Sequence, residues 1–166
     1  FSRFSKKKFR MRDTELTEQD YIIICGDFGL CWVKDKTFEY HCKNFRQKQY
    51  TILWVQGTHE NYDMIAEYPV EEWHGGKVRH ILRDKVILLE RGQVFEIEGK
   101  TIYHAGDTSL NSEMKMIGEI YQPDVAMLPI GGKYTMDIEH AVKAAGWLGA
   151  SEIIPMHYHT FDALSV

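Results

Sequence analysis

The sequence predicts an α/β protein with carboxylates presented at the ends of buried strands, and three observations predict it. Residues 101–108, TIYHAGDT, form a β-rich run that stops at Gly106 and delivers Asp107 just past its end. Residues 21–29, YIIICGDFG, repeat the construction and present Asp27 after Gly26. Segments of helical periodicity, at 35–49, 111–121 and 138–148, alternate with apolar runs of this kind. Val, Ile, Thr and Tyr favour strands, and Gly lets the backbone turn without a side-chain clash. Sheet edges of this sort are where α/β proteins place a ligand or a metal.

Composition bounds the answer. A chain of 166 residues, 44% hydrophobic and 13% aromatic, is long and apolar enough for one folded domain over 1–166. Its formal charge of −4 argues against nucleic acid as a partner, except as substrate, and against an anionic membrane surface. No apolar run approaches the roughly 20 residues that span a bilayer. Cys25, Cys31 and Cys42 form neither a paired framework nor a CxxC knuckle, which points to a reducing, cytoplasmic compartment. The chain opens FSRFSKK without a Met, which reads as a trimmed N-terminus with no targeting signal. Its basic cluster, Lys6 to Lys8 with Arg10 and Arg12, reads as a solvated terminus rather than a phosphate-attracting arm.

In order along the chain, 21–25 is a strand, and 35–49 is an amphipathic helix with Phe38, Cys42 and Phe45 at helical spacing. His41 falls on that helix as a surface residue. Residues 50–56, YTILWVQ, form a second buried strand that stops at Gly57 and is followed by Thr58, His59, Glu60 and Asn61. Glu60 and Asn61 are accounted for by a polar turn. His59, at a third strand end on the same apparent edge, reads as functional. A short helix at 61–67 ends before Pro69. Residues 73–76, WHGG, read as a loop, and strands at 77–81, 86–89 and 93–97 form a meander turned at Arg91-Gly92 and Glu98-Gly99. His74 and His80 are further ligand candidates.

The helix at 111–121 carries Met114, Ile117, Ile120 and Tyr121 on one stripe. Residues 125–129 are a strand running into Ile130-Gly131-Gly132. Thr135 or Asp137 caps the helix 138–148, whose Ala141, Ala144, Ala145 and Leu148 face inward. A last strand at 153–156 delivers His157-Tyr158-His159. On an extended segment, residues i and i+2 point to one side, so His157 and His159 can reach one ion. His104, two residues before Gly106, is either a ligand or a satisfied core histidine.

Two family resemblances attach to these residues. Up to about Gly99, the GDFG of 26–29, the GTHEN of 57–61, YPVEEWHGGKV and LLERGQVFEIEG resemble the calcineurin-like metallophosphoesterases. That resemblance implies Asp27 as a metal ligand and His59 as the acid that protonates a leaving group. Thr58 stands where the family has a metal-binding Asn. From about Glu98 onward, IEGKTIYHAGDTSL, PDVAMLPIGGKYTMDIEHA and IIPMHYHTF resemble metal-dependent hydrolases of the metallo-β-lactamase fold. That implies Asp107 and His157 as ligands, with His159 where the family usually shows Asn.

Together the resemblances imply a chimera, residues 1–99 from one family and 100–166 from the other. Its two halves would pack as an α/β/β/α sandwich with a metal site at the sheet edge. Two copies covering exposed sheet faces, a homodimer, is the other way to close the fold. The ligand count is Asp27, Asp107, His157, His159, His59 and His104, serving one or two divalent ions, Zn or Mn. Two ions about 3.5–4 Å apart activate a water and clamp a phosphate's oxygens. The expected function is hydrolysis of a small phosphoester, a phosphodiester first, with a carboxylic ester or lactam as the alternative substrate. A folded metal-binding chimera without turnover is the reading from another class.

Overall fold

The structure, a computed structural model, describes residues 15–158; the basic N-terminal cluster and His159 lie outside them. As expected, the chain is a mixed α/β protein with two sheets and flanking helices. Its described residues divide between two compact units. One runs to Glu71 and includes Lys77–Glu90, and the other comprises Glu72–Gly76 and the chain from Arg91 onward.

The first unit opens with β1 (Tyr21–Cys25). Helix α1 (Lys36–Arg46) follows, capped by Asp35, whose side chain accepts from the N–H groups of Thr37 and Phe38. It buries Cys42 and Phe45, with Phe38 half-buried beside them. Strand β2 (Thr51–Val55) pairs in parallel with β1 from Tyr21 opposite Thr51 to Cys25 opposite Val55. Its IL-W core is almost wholly enclosed, with Leu53 and Trp54 fully buried. Helix α2 (Tyr62–Ala66) is capped by Asn61, then come β3 (Glu71–Trp73), β4 (Gly76–Asp84) and β5 (Val86–Leu89). The sheet order is β1-β2-β5-β4-β3, with β5 parallel to β2 and antiparallel to β4.

The second unit contains β6 (Val94–Ile97), β7 (Lys100–His104), α3 (Glu113–Tyr121), β8 (Val125–Pro129), α4 (Ile138–Leu148) and β9 (Glu152–Met156). Its sheet order is β6-β7-β8-β9, antiparallel at β6–β7 and parallel thereafter. The β6–β7 turn has positive φ at both central residues, Glu98 (52°) and Gly99 (73°), the backbone that matches the twist of a two-residue hairpin. Asp137, not Thr135, caps α4, accepting from His140 N–H at 2.8 Å, and Gly149 ends the helix at φ 66°.

Four expectations need correction. Residues 73–76 are not a loop: Trp73 ends β3, Gly76 begins β4, and His74 makes the turn at φ 47°. The strands at 77–97 are not one meander, because β4 and β5 belong to one sheet and β6 opens the other. The buried face of α3 is Met114, Ile117 and Gly118, while Ile120 and Tyr121 are exposed. A Cβ on Gly118 would lie 2.1 Å from the Trp147 carbonyl oxygen, so α3 turns Gly118, not Ile120, to α4.

The fourth concerns the end of β9. His157 has φ 56°, so the backbone turns there and the extended i, i+2 geometry assumed for His157 and His159 does not begin. Within β9, Glu152 N–H donates to Asp124, and the Met156 carbonyl accepts from Ile130 N–H. In a parallel ladder alternate residues face the same neighbour, so Ile153 and Pro155 face the open edge. Pro155 therefore forfeits no ladder bond and removes a donor from that edge, which discourages strand addition.

Candidate functional site

In the first unit, parallel pairing of β1 and β2 brings their C-terminal ends side by side, and Gly26 N–H donates to the Val55 carbonyl at 2.9 Å. Asp27 and His59 meet there. His59 N–H donates to Asp27 Oδ1 at 2.9 Å, and His59 Nδ1 lies 2.9 Å from Oδ2. Thr58 Oγ1 sits 3.1 Å from the same ring nitrogen. Gly57 is obligatory in this arrangement: a Cβ would lie 2.2 Å from Asp27 Oδ1 and 2.3 Å from its backbone nitrogen. Burial works to raise the Asp27 pKa, but the His59 N–H, ring and charge together hold the carboxyl below its ordinary range. Both side chains remain open, Asp27 at 44% and His59 at 76% exposure.

Glu60, assigned from sequence to a polar turn, is buried at 6% exposure. Its Oε1 accepts the Phe28 N–H at 2.7 Å and the Gly29 N–H at 3.4 Å, so it pins the turn that follows Asp27. Burial pushes its carboxyl up to about 7, against those two donors and with the Asp27 charge adding to the rise. Asn61 is likewise structural, donating to the Trp32 carbonyl at 2.8 Å while capping α2. The one sequence signal for Glu60 was its place between a strand-end glycine and a helix cap.

In the second unit, β7, β8 and β9 run parallel, so the segments after them share one end of the sheet. Asp107 follows β7 and His157 follows β9. His157 Nε2 stands 3.7 Å from Asp107 Oδ1, both side chains about three-quarters or more buried. That is too long for a hydrogen bond. It is close to the roughly 3.4 Å that two ligands keep around one tetrahedral ion at bond lengths near 2.1 Å. His157 Nδ1 is buried without a hydrogen-bond partner among the described residues. The loop after β8 is tied to both segments: Ile130 N–H donates to Met156, next to His157, and Met136 N–H to Thr108, next to Asp107.

His104 is 4% exposed and its Nδ1 accepts the Gly106 N–H at 3.0 Å. Burial pushes its pKa down to about 4, so the ring is neutral with its proton on Nε2, which has no partner among the described residues. In this state Nε2 offers no lone pair to an ion. His74 Nδ1 and His80 Nδ1 pair with the backbone carbonyls of Glu96 and Arg83, and His41 stacks beside Phe45. Among the described residues no three His, Cys, Asp or Glu side chains come together to hold a metal ion. The chemistry of the Asp107–His157 pair, a carboxylate and an imidazole, nonetheless fits a divalent ion, and it supplies two of the ligands one would need.

This fold and this donor pair define a class. The chain belongs to the beta-lactamase superfamily: the family's model, a beta-lactamase superfamily domain, matches residues 41–157. It is 55% identical over 73 residues to a UPF0173 metal-dependent hydrolase of Methanosphaerula palustris, covering 44% of this chain and 34% of that protein. It is 43% identical over 114 residues to a UPF0173 metal-dependent hydrolase of a Geobacillus species, 67% of this chain and 49% of that protein. The chain thus spans between a third and a half of the length of these curated relatives. Among solved structures it resembles Igni18, a metallo hydrolase from Ignicoccus hospitalis, with 30% identity and a TM-score of 0.52. That likeness covers 89% of this chain and 67% of the other, and it fits the α/β sandwich expected.

The comparisons give no support to a metallophosphoesterase half or to a chimera. The family match runs without a break through 98–100, and an alignment of 114 residues cannot fit on one side of that point. Among the described residues no helix is long and apolar enough to cross a membrane.

Proposed function

We propose that this chain is a metal-dependent hydrolase whose ion is held by Asp107 and His157. The observation that carries this is the unbonded 3.7 Å approach of Asp107 Oδ1 and His157 Nε2 at the shared end of three parallel strands. Membership of the superfamily and likeness to proteins described as metal-dependent hydrolases support it. A divalent ion there, Zn or Mn, supplies Lewis-acid chemistry and lowers the pKa of a water. The chain's own part is to orient the donors: the Gly106 turn swings Asp107 off β7, and the left-handed His157 turns its ring toward that carboxylate. His159 is proposed as a further ligand on the same segment.

For the substrate we propose a phosphoester, a phosphodiester first. This finer reading rests on the first unit's pair. His59, held through Nδ1 by a carboxylate kept ionised, is arranged as a proton donor to a leaving oxygen. A second reading, hydrolysis of a carboxylic ester or lactam with His59 idle, is favoured by the superfamily match over 41–157.

Elemental analysis and turnover of bis(p-nitrophenyl) phosphate test both. Asp107→Ala and His157→Ala should each lower bound metal at least tenfold and abolish turnover; full metal retention in either overturns the assignment. His59→Ala should keep its metal and lose most phosphodiester turnover. Unchanged phosphodiesterase activity removes His59, and ester or lactam turnover alone selects the second reading. Bound metal with no turnover of any of these leaves a metal-binding protein.

A further inference from the structure

We infer that a basic cleft in the first unit, at the opposite end of β2 from Asp27, binds a small molecule carrying two adjacent phosphates. The cleft, of about 480 Å³, is lined by Arg46 at the end of α1 and by the β4–β5 turn with its flanking residues, including His80, Arg83, Asp84 and Lys85. Three permanent cations and an imidazole thus face one carboxylate, in a chain whose formal charge is −4. Among the described residues, no carboxylate forms an ion pair with Arg46, Arg83 or Lys85. Cations that serve only solubility have no reason to converge on a concavity. Guanidinium and ammonium groups left unpaired in one are arranged for an anion.

The backbone that carries Arg83 and Lys85 is also held in place. Lys85 N–H donates to the Leu82 carbonyl at 2.9 Å, Ile52 N–H to the Lys85 carbonyl at 2.9 Å, and Thr51 Oγ1 to the Asp84 carbonyl at 2.8 Å. Arg83 sits at φ 43°, an unusual backbone for a residue with a Cβ, and its carbonyl lies 3.0 Å from His80 Nδ1. The turn is thereby pinned to β2 and to β4, so binding would cost little ordering of the backbone. The volume lies in the range of small-ligand pockets and the charge calls for more than one phosphate, so a nucleoside diphosphate is the fitting probe.

The test is calorimetric titration of ADP into the full chain as purified, at low and at moderate salt. Arg83→Gln/Lys85→Gln should weaken ADP at least tenfold. Lys36→Gln, an exposed lysine at the far end of α1 that removes one charge where the double variant removes two and Arg46→Gln removes one, should leave the affinity within about twofold. If the double variant does not fold, Arg46→Gln, on another element, serves with an expected loss of about fivefold. No ADP binding by the wild type overturns the inference, as does an equal effect of the cleft variants and Lys36→Gln. Binding of single-stranded RNA through Arg83 and Lys85 without binding of ADP also overturns it, in favour of a nucleic-acid surface.

Discussion

Each unit of this molecule ends a buried strand in Gly-Asp and brings a histidine to the carboxylate, yet the two pairs come to opposite conditions. Asp27 and His59 are joined by two hydrogen bonds of 2.9 Å and stand open to solvent. Asp107 and His157 face each other at 3.7 Å without a bond, in a more enclosed setting, and a ring nitrogen of His157 has no partner among the described residues. The first pair satisfies itself through one ring nitrogen, His59 Nδ1, while the rest of the imidazole stands open. The second carries an unmet polar requirement in a place where water is scarce, the condition under which a bound cation gains most. The shared motif therefore fixes where a carboxylate stands, and the register of the neighbouring strand end decides what it can do.

The glycines beneath the two aspartates test that comparison with the largest expected effect. Gly57 has no room for a methyl group, whose neighbours would be Asp27 backbone and carboxylate at 2.2–2.3 Å. Gly57→Ala should cost about 3 kcal/mol and move Asp27 off His59, since the obstruction is backbone and cannot rotate away. At Gly106 the backbone stands at φ 68°, and that conformation should cost Gly106→Ala about 1 kcal/mol. Urea unfolding of both variants checks the ranking. Equal losses would mean that the first pair is no more tightly built than the second.

The elements legible in the sequence were those whose signals are local. Strands β1, β2 and β8 are apolar runs ended by glycine or proline, and α4 was legible over 138–148 with its cap left open between Thr135 and Asp137, which the structure resolves as Asp137. Asp27 beside His59 was legible for the same reason, as two strand ends on one edge. What escaped depends on partners distant in sequence. Glu60 owes its burial to N–H groups 31 and 32 residues away, which no periodicity announces. Strand β3, EEW, has no apolar alternation and exists because β4 lies beside it. Ile120 looked like core because it falls on the Met114–Ile117 stripe, but the close approach of α3 to α4 is set by Gly118. The turn at His157 could not be read from IIPMHYH, since a positive φ at a histidine has no sequence mark.

His104 gives the second unit a pH dependence of its own. Its folded pKa, about 4, lies below the unfolded value near 6.5, so the native state excludes a proton that the unfolded chain accepts. The neutral ring costs nothing above pH 7; stability falls as the pH drops through 6.5, and the loss is complete below 4. Between pH 7.5 and 4.5 the loss attributable to this one ring should be about 2 to 3 kcal/mol. Urea unfolding of wild type and His104→Gln at the two pH values isolates it, because every other titrating group is common to both. Parallel pH dependences in the two proteins would show that the ring takes up its proton in the native state, with Nε2 then finding a partner.

The smallest expected effect lies in the Asp27–His59 pair itself. Asp27 has its folded pKa depressed, so its interaction is present above the ordinary carboxylate pKa and lost as pH falls through the lowered value. Yet the pair is largely exposed, and solvent screens what the hydrogen bonds gain. A double-mutant cycle with Asp27→Asn and His59→Gln should give a coupling of at most about 1 kcal/mol at pH 6, smaller at 1 M salt. A coupling of several kcal/mol would mean that the carboxylate and the imidazole are held as a desolvated unit, and the contrast between a self-satisfied open pair and an enclosed unsatisfied one would collapse. A small coupling together with a large loss of phosphodiester turnover in His59→Gln gives the opposite lesson: the ring is kept at that strand end for chemistry, since stability gains so little from it.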